Sequence, residues 1–221
     1  MLSFSRLALA LTAVGAALAA PTKRAVAYYN PNNGGGSEVD IVSAGLGEPL
    51  NVIISGLSDS SIIGSQSNFL SFAQDIGFST ECLGIHIGSP QQANLGDGNG
   101  AVNQLVEYRE NYNPGGTCLE SLIGGNHLRG WIQNGPSADS GAWFLAVSQE
   151  ENVIDNHDIV PNGYNIGRDA LVSNANSWAS GQSTYSLSVD YVSGLLAAGS
   201  TGINHGISQD GQVAVITVTR N

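Results

Sequence analysis

Basic residues are nearly absent from most of this chain. Beyond residue 24 there is no lysine, and the only cations other than histidine are Arg109, Arg129, Arg168 and Arg220. All eighteen Asp and Glu lie in that same stretch, so four arginines against eighteen acids leave a formal charge of −14. Such a chain repels phosphate backbones and anionic headgroups, which excludes nucleic acid and membrane surfaces as expected partners. Long apolar runs are missing too. After the first twenty residues no segment approaches the roughly 20 apolar residues of a membrane helix. Cysteine is scarce: Cys82 and Cys118 are the only two, too few to build a zinc site alone. There is no N-x-S/T sequon, no G-x-S-x-G elbow and no P-loop. Aromatics are few and glycines number 29, which favours turns and strands over long helices.

The N-terminus has the three parts of a secretory signal peptide. Arg6 supplies the positive end, Leu7 to Leu18 is uncharged and largely apolar, and Ala17-Leu18-Ala19 reads as a cleavage site. Residues 1–19 are therefore expected to be removed. Residues 20–24 then form a short propeptide ending in the dibasic pair Lys23-Arg24, of the kind cut by kexin-type lumenal proteases. The protein is expected to be secreted, extracellular and monomeric. In that compartment Cys82 and Cys118 are expected to pair. A loop of that size gives about 4 kcal/mol in the chain-entropy account.

About 195 residues remain, enough for one domain with its own core. Residues 25–45, rich in Asn, Pro and Gly from Tyr28 to Ser37, read as a flexible lead-in, and residues 46–221 as the globular part. Leu50 to Ser55 is a buried-strand pattern, and Phe69, Leu70, Phe72, Ala73 and Ile76 recur at helical spacing before Gly77. Cys82 to Ile87 is a second strand candidate, while Val102 to Tyr108 fits either a strand or a short helix. Leu122 to Ser148 predicts two strands around Asn134-Gly-Pro136. Asn165 to Val172 predicts a short helix with Asn165 as its cap. Tyr185 to Val192 alternates as a strand. Gly202 to Ser208 and Gln212 to Thr219 predict a hairpin closed by Asp210-Gly211. The fold class is α+β: a single domain, with a largely antiparallel β-sheet and a few short helices.

The chemistry concentrates in Asn126-His-Leu-Arg-Gly-Trp131. Strand alternation sets His127, Arg129, Trp131 and Gln133 on one face and Leu128, Gly130 and Ile132 on the other. An imidazole, a guanidinium and an indole in a row make a ligand-facing surface, and an arginine can grip a carboxylate with two hydrogen bonds. His157-Asp158, then Arg168-Asp169 in the first turn of the short helix, complete a candidate pocket. Asn126, Asp158 and His205 are weaker candidates. In the hairpin register His205 faces Ile216 and reads as a half-buried core histidine; His86, between Ile85 and Ile87, reads the same way. Glu150-Glu151 reads as a solvated strand end. The spacing matches no compact metal motif. No residue is assigned to a metal and the cofactor is unknown, a divalent ion being an option that is not favoured. Asn94, Asp97 and Asn99 fail the calcium-loop spacing and read as a glycine-rich turn.

Four patches together resemble the LssY C-terminal domain over about Gly47 to Val172: Glu48-Pro-Leu-Asn-Val-Ile-Ile-Ser-Gly56, Asn126-His-Leu-Arg-Gly-Trp131, Trp143-Phe-Leu-Ala-Val-Ser148, and His157-Asp-Ile-Val-Pro161 leading to Arg168-Asp169. Asn126 stands where the family commonly doubles the histidine, and Asn165 and Gly167 stand where it has further acids. The membrane lipid-phosphatase-like portion that often precedes this domain has no counterpart, so phosphatase activity is not implied. Three readings follow. The first is a secreted domain binding a small polar or anionic ligand through His127, Arg129, His157, Arg168 and Asp169. The second is an extracellular hydrolase using His127 and His157, with acid–base or metal-assisted chemistry. The third is a cell-wall or host-interaction protein with an exposed stripe of Trp131, Trp143 and Trp178. Catalytic residues are unknown, and whether there is turnover is left open.

Overall fold

The structure is a computed structural model, and it describes residues 26–221 except Ala44 and Ile87. The expected signal peptide and dibasic site lie outside the described residues. In chain order the regular elements are β1 (Val52–Ile54), α1 (Ser60–Ile63), α2 (Gln66–Asp75), β2 (Phe78–Thr80), β3 (Gln92–Asn94), β4 (Ala101–Asn103), β5 (Val106–Glu110), α3 (Gly116–Ile123), β6 (Gly125–Gly135), β7 (Ala138–Glu150), α4 (Gly163–Ser180), β8 (Tyr185–Val192) and β9 (Val213–Arg220), with four short 3-10 turns between them. Seven strands form one sheet in the order β2-β5-β6-β7-β1-β9-β8, and β3 and β4 form a small second sheet. Every pairing is antiparallel except that of β1 with β9. The protein is α+β, as its composition and periodicity predict. Among the described residues no helix is long and apolar enough to cross a membrane.

The sheet is covered on both faces, which explains why Ala142-Trp-Phe-Leu-Ala-Val147 on β7 is a continuous apolar run rather than an alternating one. Trp143, Leu145 and Val147 join Leu128, Phe69, Phe72, Leu171 and Ala175 in the larger core under α1, α2 and α4. The Trp143 ring stacks on Phe69 with centroids 4.1 Å apart. Phe144 and Ala146 point the other way, joining Trp131, Leu50, Ile53, Ala93 and Leu95 in a second core. A period of two therefore sorts each strand between two cores. α4 lies close to β7, because a Cβ on Gly167 would meet the Ser148 backbone at 2.7 Å; only glycine allows that approach.

Several local expectations change. The Asn-, Pro- and Gly-rich segment is packed where a flexible lead-in was expected. Pro31–Gly34 forms a 3-10 turn capped by Asn30, and Tyr29 exchanges backbone hydrogen bonds with the Gln133 side chain at 2.8 and 2.9 Å. Val39 bridges to Pro49, and Glu38 is buried. Cys82–Gly84 is a 3-10 turn instead of a strand, with Leu83 in the left-handed region. The ambiguous 102–108 stretch resolves into strands β4 and β5. The helix starts after Asn162 and runs 18 residues, beyond the 165–172 segment. The C-terminal hairpin does not form. β9 pairs with β8 rather than with 202–208, where His205 at φ +60° sits in a 3-10 turn. Asp210 is instead captured by Arg168, so the Asp-Gly pair serves a tertiary contact.

Candidate functional site

The predicted face of β6 exists, and it ends in a layer of ionised side chains. Register pairs Glu107 with Arg129 and Arg109 with His127 across β5 and β6. His127 is wholly buried. Its Nε2 lies 2.9 Å from Glu107 Oε1, and its Nδ1 lies 3.1 Å from Glu150 Oε1, close enough for an ion pair but off the line of a hydrogen bond. Arg109 donates from Nη1 to Glu150 (2.9 Å) and to both oxygens of Glu120 (3.2 and 3.3 Å). Arg129 donates to Glu48 Oε2 at 2.8 Å and to Glu107 Oε1 at 3.5 Å.

These contacts set the charges. Burial pushes the His127 imidazolium down, but the adjacent Glu150 carboxylate and the bond to Glu107 outweigh it and bring the group up to about 9. Burial raises Glu150, yet His127 and Arg109 overcome that and hold it at about 2. Glu107 is driven well below the carboxylate range in the same way, chiefly by His127. Burial, with Glu48 alongside, lifts Asp40 to about 8. Burial likewise raises Glu38, whose two oxygens accept no hydrogen bond, and Glu120. Glu81 is raised by burial and by the facing Glu107.

A cleft of about 450 Å³ opens above this layer. Its floor includes Glu48, Arg109, Arg129 and Glu150, and its walls carry Glu81, Cys82, Ile85 and Gln91 on one side and Asn156, His157, Asn204 and His205 on another. The Cys82–Cys118 disulfide, expected from the cysteine count, ties the first wall to α3. Of the five non-glycine residues with positive φ among the described residues, Asn156, His157 and His205 line the cleft and Leu83 follows the lining residue Cys82; Asn162 is the fifth. Each left-handed residue costs about 1 kcal/mol or more, and such strain gathers at functional sites. Among exposed apolar side chains Ile85 lines the cleft, and Leu83, Leu122, Ile123, Val153 and Ile154 lie within three residues in sequence of lining positions.

The candidate pocket is thus half assembled. His127, Arg129 and His157 come together, His157 standing 3.7 Å from Glu150. Arg168 and Asp169 belong elsewhere. In the second turn of α4, Arg168 grips Asp210 with two bonds (2.7 and 2.9 Å), bonds Asp169 and the Gln212 carbonyl, and lies over the Tyr191 ring. Trp131 is buried in the second core, donating to the Val102 carbonyl. Asn126 ties β6 to α4 through the Gly167 carbonyl. Trp143 is fully buried as well, so the proposed tryptophan stripe is not on the surface. His205 is exposed, 3.5 Å from Asp158, instead of facing Ile216. His86 is not a core histidine either: it sits between Glu81 and Glu107 on the first wall. Glu150 is buried at the centre of the network rather than solvated. Sequence reasoning passed over Glu48, Glu81, Glu107, Arg109, Glu120 and Glu150. One trace of them was readable: Glu107 and Arg109 alternate with the same period as His127 and Arg129. No family model, characterised protein or solved structure matches this chain.

Proposed function

We propose that the chain is an exported domain that binds a small polar ligand, neutral or cationic, in the cleft above β5, β6 and β7, without turnover. The observation that carries this reading is the gathering of left-handed residues on the walls of a polar cleft. Stability is given up there for a particular wall shape, as binding sites require. The volume suits a ligand of a few to a few dozen atoms. Charge selects its class. Glu48, Glu81, Glu107, Glu120 and Glu150 outnumber Arg109, Arg129 and charged His127 by two, with the imidazoles of His86 and His157 beside Glu81, Glu107 and Glu150. Both arginines already face glutamates, Arg109 within 4 Å of Glu81, Glu107, Glu120 and Glu150 and Arg129 against Glu48 and Glu107, and these carboxylates repel an anion. Hydroxyl and amine donors find carboxylates and amide oxygens on all sides. His127 does not serve as a base in this reading, being sealed from the cleft and protonated. Export is supported by the disulfide, which persists in oxidising compartments. The LssY C-terminal resemblance is retained as part of the proposal, its histidine patch falling on β6.

Saturation-transfer NMR of the full chain against mixed neutral polyols, amines and carboxylates tests it. Polyols or amines should respond, and Asn204→Trp, which fills the cleft, should abolish the response. Signals from carboxylates alone, or from nothing in the mixture, would sink the reading.

A further inference from the structure

We infer that Glu81, His86 and Glu107 form a binding site for one divalent transition-metal ion on the first wall of the cleft. The inference does not rest on the ligand reading above. It starts from strand register. β2 and β5 pair Phe78 with Glu110, Ser79 with Arg109 and Thr80 with Tyr108, and the same register extended one residue past the end of β2 sets Glu81 opposite Glu107. Two carboxylates directly opposite each other repel. What stands between them is an imidazole: His86 Nδ1 is 3.0 Å from Glu81 Oε2 and 3.4 Å from Glu107 Oε2. The three side chains offer ligand atoms all within 4.8 Å of one another. One imidazole and two carboxylates around a common point are a donor set for zinc or manganese.

The surroundings fit a ligand set already held in place. Glu107 is fixed by His127 at 2.9 Å and by the Gln104 amide at 2.6 Å, the outer contacts that orient a coordinating carboxylate. Arg109 stands 3.9 Å from both Glu81 and Glu107, on their other oxygens. The disulfide at Cys82 anchors the chain next to Glu81. An independent observation points the same way: Gln91 Oε1, on the wall of the same cleft, is buried and accepts no hydrogen bond. It is an oxygen donor with nothing to coordinate. The surplus of two negative charges across the network is what a divalent cation would neutralise. Glu81 and His86 remain partly open, at 14% and 33% exposure, so an ion reaches them from solvent.

The test is calorimetric titration of Zn²⁺ into the chelator-treated, disulfide-intact chain, with Ca²⁺ as the comparison. One equivalent of Zn²⁺ should bind, and Ca²⁺ should bind far more weakly because one donor is nitrogen. Glu81→Gln and His86→Gln should each weaken Zn²⁺ binding at least about tenfold, whereas His205→Gln on the opposite wall should not. The Glu81 and His86 side chains are both reached by solvent, at 14% and 33% exposure, and circular dichroism checks the fold of each variant. The His86 ring resonances should shift on zinc addition. No saturable Zn²⁺ binding up to about 1 mM, or equal binding by the Glu81→Gln/His86→Gln double variant, overturns the site. Asn204→Trp separates the two proposals: it blocks the polar ligand and leaves Zn²⁺ binding in place.

Discussion

Two ion clusters in this protein look alike in a contact list and differ in design. At Arg168, one guanidinium meets Asp210, Asp169 and a carbonyl, and the two acids are largely solvated, with side chains 40% and 54% exposed. At His127, five glutamates and three cations share a layer whose acids are 0–14% exposed and whose upper side is a cleft. The first is a tether between α4 and the start of β9. Its spare charge is hydrated, so it needs nothing more. The second has surplus charge that water reaches only through the cleft. A hydrated surplus marks structure and a buried surplus marks a site; arginine, histidine and carboxylate identities alone do not separate them.

The difference can be broken most severely at its buried centre. His127→Ala removes the buried cation between Glu107 and Glu150, leaving Arg109 as their common partner, and should cost about 3–5 kcal/mol in urea unfolding. Arg168→Ala should cost less, about 1.5–3 kcal/mol, because Asp210 can turn to water. A larger loss at the tether than at the buried centre would mean that the two clusters do not differ in this way.

Titration sharpens it further. Glu150, held at about 2 against an ordinary 4.5, adds stability that is complete above 4.5 and lost as pH falls toward 2. His127, raised from 6.5 to about 9, adds stability that is complete below 6.5 and lost as pH rises through 9. Asp40, raised from 3.8 to about 8, also erodes stability with rising pH, but its effect ends near 8. Thermal unfolding should thus show an optimum on the acid side of neutrality, with an alkaline limb reaching 9. His127→Gln should shorten that limb to about 8. Arg168→Ala should alter the acid side, where the lowered Asp210 titrates, and leave the limb set by His127 in place. An unshortened limb in His127→Gln would mean that the imidazole is not the group responsible.

The smallest effects belong to the rim. Leu83→Ser and Ile154→Ser, at 85% and 86% exposure, should change unfolding free energy by no more than about 0.5 kcal/mol. A larger loss at either position would mean that the apolar rim is packed in solution.

Much of the scaffold was legible because period and composition act locally. The β7 run, the α2 stripe and the alternation that sets His127 and Arg129 apart from Leu128 all follow from residue spacing. The site was legible only in part, because its acids come from β5, α3, β7, the residue after β2 and the segment before β1, and tertiary pairing decides which of eighteen carboxylates meet. Glu150 illustrates this: next to Glu151 it reads as a strand end, and only the antiparallel match of Gly125 with Glu150 turns it toward His127. His205 failed for the opposite reason. Asp210-Gly211 is a strong local turn signal, and a buried arginine 42 residues away outbid it. Arg168-Asp169 failed likewise, since adjacency in sequence to a histidine patch does not decide which side of a sheet a helix serves.

The bond between Cys82 and Cys118 has a practical consequence. It spans 36 residues, and one of its ends is part of the cleft wall. Reduced protein would keep the two cores, neither of which uses a cysteine, while the wall loses its fastening to α3. Material made in a reducing cytosol could therefore pass as folded by far-ultraviolet dichroism and still be blank in a binding assay. The thiol count of a preparation should be taken before any negative result on this cleft is believed.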